Sequence, residues 1–247
     1  MCPEYRSPRG TCLAGRRAAI LLGVPVRLNL AALSDAELAA LLGDEALQAR
    51  YPEVSRARLE ARPLPGPLWP LDPWAAPGSG QPGQGWGATP GQTRALNDLH
   101  AALGALGAAA QGPCQLSLER RFSHACGYLL GPDTAVSVRW DESPDGRDAS
   151  PFVEVLSWLR DDASGVEGVL TTNRPALPSP VPTELVAVRH LPGAALPELL
   201  EAHRLHLARH GRGLKLPAEG GWAAAWERLH RRNVDAWDRR GLLLRED

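Results

Sequence analysis

From Pro113 onward, apolar residues along this chain recur at every second position rather than every third or fourth. The segments "CQLSLERRF", "ACGYLL", "TAVSVRW", "FVEVLSWLR" and "VEGVLTTN" are short and rich in β-branched and aromatic residues. They are separated by Gly131-Pro132-Asp133, Pro144-Asp145-Gly146 and Ala163-Ser164-Gly165. Runs of this kind between turn-forming clusters predict antiparallel strands. Val136, Val138 and Trp140 alternate with Ser137 and Arg139, which predicts a sheet with one covered face and one wet face. "ELVAVRHLP" reads as a further strand, giving about five to six in all.

Elsewhere the period is helical. Ser34-Asp35-Ala36-Glu37 has the form of a capping box, in which the serine hydroxyl takes a backbone N–H three residues on and the glutamate reaches back. It opens a short helix with Leu38, Leu41 and Leu42 on its apolar stripe and Gly43 at its end. "DEALQARY" adds a turn or two before Pro52. Leu96, Leu99, Leu103 and Leu106 share one face of a helix predicted over Thr93 to Ala110. "LPELLEAHRLHLARHG" and "GGWAAAWERLHRRNVDAWDRRG" supply two C-terminal helices, with Trp222, Trp226, Leu229, Asn233 and Trp237 on one side of the second. Strands grouped in the middle with helices at both ends predict an α+β fold: an antiparallel β-meander covered by the C-terminal helices.

Composition divides the chain. Residues 63–92 concentrate proline and glycine, which remove donors and raise the entropy cost of ordering, so neither helix nor central strand is expected there. The organisation that follows is a small helical N-terminal segment over 1–62, a Pro/Gly/Trp-rich linker over 63–92 and an α+β domain over 93–247. Trp69, Trp74 and Trp86 are unusual for a spacer, and the expectation is that one or two dock on the folded body. Residues 1–23 lack periodicity, and Val24 is read as the real start, the preceding residues being an extension from an upstream initiation codon.

Among 247 residues, Lys plus Arg number 27 and Asp plus Glu 28, so no global field draws nucleic acid or an anionic membrane. The cations are almost all arginine, which reads as GC-rich, bacterial-like coding bias. The longest apolar run, "AAILLGVPV", is far short of the roughly 20 residues of a spanning helix. Cys2, Cys12, Cys114 and Cys126 form no C-x-x-C pair, and reduced thiols in a cytoplasm are expected.

Few residues carry recognisable chemistry. His203, His206 and His210 have the three-and-four spacing of helical metal ligands, but no H-E-x-x-H accompanies them and Glu201 points away from His203. The expectation is partly buried, neutral imidazoles and no metal or other cofactor. Cys126 with His124 lacks an orienting third group and reads as core, and neither G-x-S-x-G nor a phosphate-binding glycine loop is present. Thr172, Asn173 and Arg174, at the end of a strand, form with His203 the one ligand-binding set the sequence suggests. The functional expectation is a noncatalytic binding or interaction protein with a protein partner at the Trp-containing linker. A small-ligand binder or enzyme at the sheet–helix boundary is the alternative. Nucleic-acid or membrane contact through the Trp/Arg-rich last helix is a third reading, disfavoured by Glu227, Asp235 and Asp238 within it.

Overall fold

The computed structural model describes residues 26–69, 87, 89–118, 121–142, 150–161, 163–176 and 179–245. The Val24 start, Trp74, Trp86, Cys2, Cys12 and the Pro144–Gly146 turn lie outside these.

The fold is α+β. Strands β3 (Ala109–Leu118), β4 (Arg121–Leu130), β5 (Thr134–Glu142), β6 (Phe152–Trp158), β7 (Gly168–Thr172) and β8 (Val186–His190) form one sheet in sequential order. The first five are antiparallel neighbours, as alternation and turns predict, and Gly131–Asp133 is indeed a turn. The last pair, β7 with β8, is parallel. A parallel pair requires a crossover rather than a hairpin. Residues 173–185 provide it, and four of their hydrogen bonds go to distant elements: Ser179 Oγ to the Glu37 carbonyl, Val181 N–H to the Glu37 carboxylate, Thr183 N–H to Asn233, and Trp237 Nε1 to the Val181 carbonyl.

Both faces of this sheet are covered, which corrects the expectation of a wet face. Helix α3 (Pro90–Ala105) and helix α4 (Leu196–His210) lay Leu96, Leu103, Leu196 and Leu199 on Cys126, Tyr128, Val136, Val138 and Val155. On the other side, helix α5 (Gly221–Arg239) sets Trp222, Trp226 and Leu229 on Leu129, Ala135, Leu156, Trp158 and Leu170. Ser137, on that second side, is wholly buried. Alternation of polar and apolar residues reports which positions differ, but a helix that arrives from 80 residues away decides whether the polar side stays wet. Gly127 is needed at this contact, because a Cβ there would overlap the Trp222 indole.

A second, three-stranded sheet joins both ends of the described chain. Strand β1 (Val26–Asn29) lies between β2 (Pro65–Trp69) and β9 (Leu243–Arg245), antiparallel to each. The opening residues of the Pro/Gly-rich segment are thus a strand, at a sheet edge where proline is tolerated. Trp69 meets Trp237 edge-on at 5.3 Å, so one linker tryptophan does dock on the body. The small core combines Leu30, Leu33, Leu38, Val54, Ala57 and Leu64 with Trp237 and Leu242.

Two helix boundaries differ from expectation. Helix α1 (Asp35–Leu42) has the full capping box and ends before Gly43. Helix α2 (Asp44–Leu59), however, runs through Pro52 instead of stopping before it. Proline costs an interior hydrogen bond, but continuing the helix buries Val54 and Ala57 completely in the small core. Helix α3 stops at Ala105, five residues before the predicted Ala110. Gly107 takes a positive φ of 75° and releases Ala109 and Ala110 to pair with Leu129 and Tyr128.

Candidate functional site

The three histidines of α4 lie over the β5–β6–β7 part of the sheet. The contacts of His203 and His206 come from hydroxyls that the strands present on the α4 face. Val155 and Thr171 are cross-strand partners, as are Ser157 and Val169, so Ser157 and Thr171 project toward α4 from neighbouring strands. Ser157 Oγ is 3.1 Å from His203 Nε2, and Thr171 Oγ1 is 3.0 Å from His203 Nδ1 and 3.4 Å from His206 Nδ1. Thr134 Oγ1 is 3.2 Å from Ser157 Oγ and donates to Asp133 Oδ1 at 3.2 Å.

Proton counting gives this chain a direction. Thr134 has one hydroxyl hydrogen, committed to Asp133, so Ser157 donates to Thr134. The Ser157 oxygen then accepts from His203 Nε2–H. A neutral imidazole with its proton on Nε2 accepts at Nδ1, so Thr171 donates there and its oxygen accepts His206 Nδ1–H. Each hydroxyl donates once, and His203 and His206 are fixed in opposite tautomers. In ring-nitrogen NMR spectra at pH 7, we expect His203 as the Nε2–H form and His206 as the Nδ1–H form. The same tautomer on both rings would refute this order.

His203 and His206 are neutral for a physical reason. His203 is 3% exposed, and burial, then the neighbouring His206, lower its pKa to about 3. His206 is 7% exposed and is lowered to about 4, by burial first and then by His210, Arg189 and Arg209. Ser157 and His203 resemble a nucleophile and its base, but the second imidazole nitrogen faces a threonine hydroxyl rather than a carboxylate. An imidazolium formed there would have no counter-charge in contact. Among the described residues, no three His, Cys, Asp or Glu side chains are grouped to hold a metal ion.

The set suggested by the sequence is divided by the sheet. Thr171 meets His203 on the α4 side, so the adjacent Thr172 projects to the opposite side. Thr172 Oγ1 accepts from Arg174 N–H at 3.1 Å. Asn173 bridges Val153 N–H and the Ala194 carbonyl, at 2.6 and 2.9 Å. Arg174 lies over the Phe152 ring at 5.3 Å. Thr172, Asn173 and Arg174 are together at the strand end, and His203 is on the other face. Sequence reasoning missed Ser157, and it placed Thr171 only among the polar residues closing the strand, not as a partner of His203. Their only signal was a hydroxyl in an otherwise apolar strand.

Other candidates take structural positions too. Cys126 is buried beside Tyr128, and burial raises its thiol to about 11, the opposite of nucleophile activation. Cys114 packs on the α5 face and Cys126 on the α3–α4 face, so the two thiols are on opposite sides of the sheet and do not bridge each other. On α5 the arginines are matched by carboxylates: Arg228 and Arg232 with Glu167, Arg231 with Glu227, Arg239 with Glu184 and Arg240 with Glu37. Trp222, Trp226 and Trp237 are buried. No described helix is long and apolar enough to cross a membrane.

Comparison with family models, curated proteins and solved structures finds no match for this chain.

Proposed function

We propose that this protein is a noncatalytic binding protein that engages a protein partner through its Trp-containing linker. The observation that carries the reading is the anchoring of the linker at both ends. At its start, Leu64 is buried and β2 pairs with β1, with Trp69 against Trp237. At its end, Thr89 caps α3, and Gln92, almost fully buried, donates to the Asp141 carbonyl at 3.2 Å. A segment tethered at two fixed points forfeits less chain entropy on binding than a free tail, which raises affinity without new contacts. The His203 and His206 imidazoles, already bonded to strand hydroxyls, support the noncatalytic part of the reading. The lack of a disulfide between Cys114 and Cys126 fits work in a reducing cytoplasm.

The test replaces residues 70–86 with a Gly/Ser sequence of equal length. This span leaves β2 and the α3 cap intact, whereas removing all of 63–92 would take away a strand of the small sheet. We expect proteins cross-linked to the wild-type chain to be lost from the variant while its melting temperature stays within about 2 °C, since β2, Trp69 and the α3 cap are all retained. An unchanged cross-linked set defeats the proposal.

A further inference from the structure

We infer that the β8 edge of the large sheet carries a binding niche for a small oxyanion of the sulfate or phosphate type, formed by Arg189 from β8 with His206, Arg209 and His210 from α4. The niche uses no linker residue and does not depend on the linker's role.

Register and helix spacing bring these four side chains together. Arg189 is the cross-strand partner of Thr171, the hydroxyl that receives His206 Nδ1–H, so it projects beneath α4 beside that ring. Its Nη1 lies 3.4 Å from the Ala202 carbonyl, one helical turn before His206. Arg209 and His210 follow His206 by three and four residues, the spacing of neighbours on a helix surface. The His206 and His210 rings meet edge-on, with centroids 5.2 Å apart. β8 is the last strand of its sheet, so the niche opens at an edge.

What sets this group apart is that its cations come from two elements and meet at His206. Arg58, Arg139, Arg204, Arg228, Arg232 and Arg240 each have a carboxylate partner within 3 Å. Arg189, Arg209 and His210 have none among the described residues; Arg56, Arg94, Arg160 and Arg212 also lack one there, but they do not meet at a shared group. The groups facing His206 are Thr171 and Arg189 from the sheet and His203, Arg209 and His210 from its own helix, with no carboxylate among them. The helix dipole accounts for cations in the last turn, namely Arg209 and His210. It does not account for Arg189, which comes from another element. A dianion would reverse the repulsion that these cations exert on one another, and guanidinium groups suit its oxygens.

The hydrogen-bond chain adds a proton. His206 donates from Nδ1, so Nε2 is its lone-pair nitrogen, and protonation there leaves the bond to Thr171 unbroken. A bound dianion favours that protonation, so its affinity rises as pH falls.

The experiment titrates the full chain with sodium sulfate and with sodium chloride at matched ionic strength, at pH 7 and pH 5.5, following histidine ring signals and affinity. Sulfate stays dianionic across this range, so any pH effect belongs to the protein. We expect sulfate, and not chloride, to shift the His206 and His210 signals, with tighter binding at pH 5.5. Arg189→Gln and Arg209→Gln should each weaken binding about fivefold, the loss of one charge-assisted contact. Arg239→Gln should leave it unchanged. Parallel titrations with inorganic phosphate and phenyl phosphate tell a free anion from an esterified one, and binding of either upholds the niche. Equal responses to chloride and sulfate, or wild-type affinity in a folded Arg209→Gln variant, would overturn it.

Discussion

Replacing Glu37 with alanine is expected to cost about 3–4 kcal/mol of folding stability, in the range found when a buried charge pair loses one member. The Glu37 carboxylate is 3% exposed and holds three parts of the chain together. It accepts from Ser34 N–H and Ser34 Oγ at the start of α1, from Val181 N–H in the crossover, and from Arg240 Nη2 just after α5. Burial alone would raise its pKa, but these donors outweigh that and hold it at about 2. Alanine leaves Val181 N–H and the first turn of α1 without an acceptor, and opens a gap between α1 and the crossover. Arg240→Ala should cost less, about 1 kcal/mol, because that guanidinium is 39% exposed and is one donor among several. Urea unfolding of both variants measures the difference, and a Glu37→Ala loss below 1 kcal/mol would show that the carboxylate is not a joint of the fold.

Mild acid should weaken the protein well before its carboxylates protonate. His203 and His206 have folded-state pKa values of about 3 and 4, below the ordinary value of 6.5. The unfolded chain therefore takes up protons below pH 6.5 that the folded chain refuses, and stability falls as pH drops from 6.5 toward 4. Each histidine contributes a slope of at most about 1.4 kcal/mol per pH unit, so the pair removes roughly 3–4 kcal/mol between pH 7 and pH 5. Glu37 acts in a lower window. Its pKa is depressed, so its contribution is whole above pH 4.5 and is lost as pH falls toward 2. Denaturation midpoints at half-unit pH intervals separate the two windows. In a folded His203→Gln/His206→Gln variant, the slope between pH 6.5 and 4.5 should nearly vanish, and a slope equal to wild type would mean that other groups carry it.

Both effects come from side chains whose part in the molecule was only half legible. The capping box at Ser34 was readable because all of its partners lie within four residues. That the same glutamate also receives Val181 and Arg240, 144 and 203 residues away, was not. Likewise, the His203–His206–His210 spacing gave one helix face and its inward orientation. The hydroxyls that meet those rings come from strands 32 to 46 residues earlier. Ser157 and Thr171 look like ordinary polar residues of a strand until a register exists to put them side by side.

Sequence by itself determined the helices with local caps, the alternating strands from Ala125 to Thr172, and the α+β class, because period and turn chemistry act over a few residues. Tertiary structure alone decided that α2 passes through Pro52, that β8 runs parallel to β7, that both sheet faces are sealed, and that β1 and β9 close the two ends of the chain together. It also decided which arginines are paired with carboxylates. These outcomes depend on burial and charge pairing between segments far apart in the chain, where the competing energies are those of partners a local pattern does not contain.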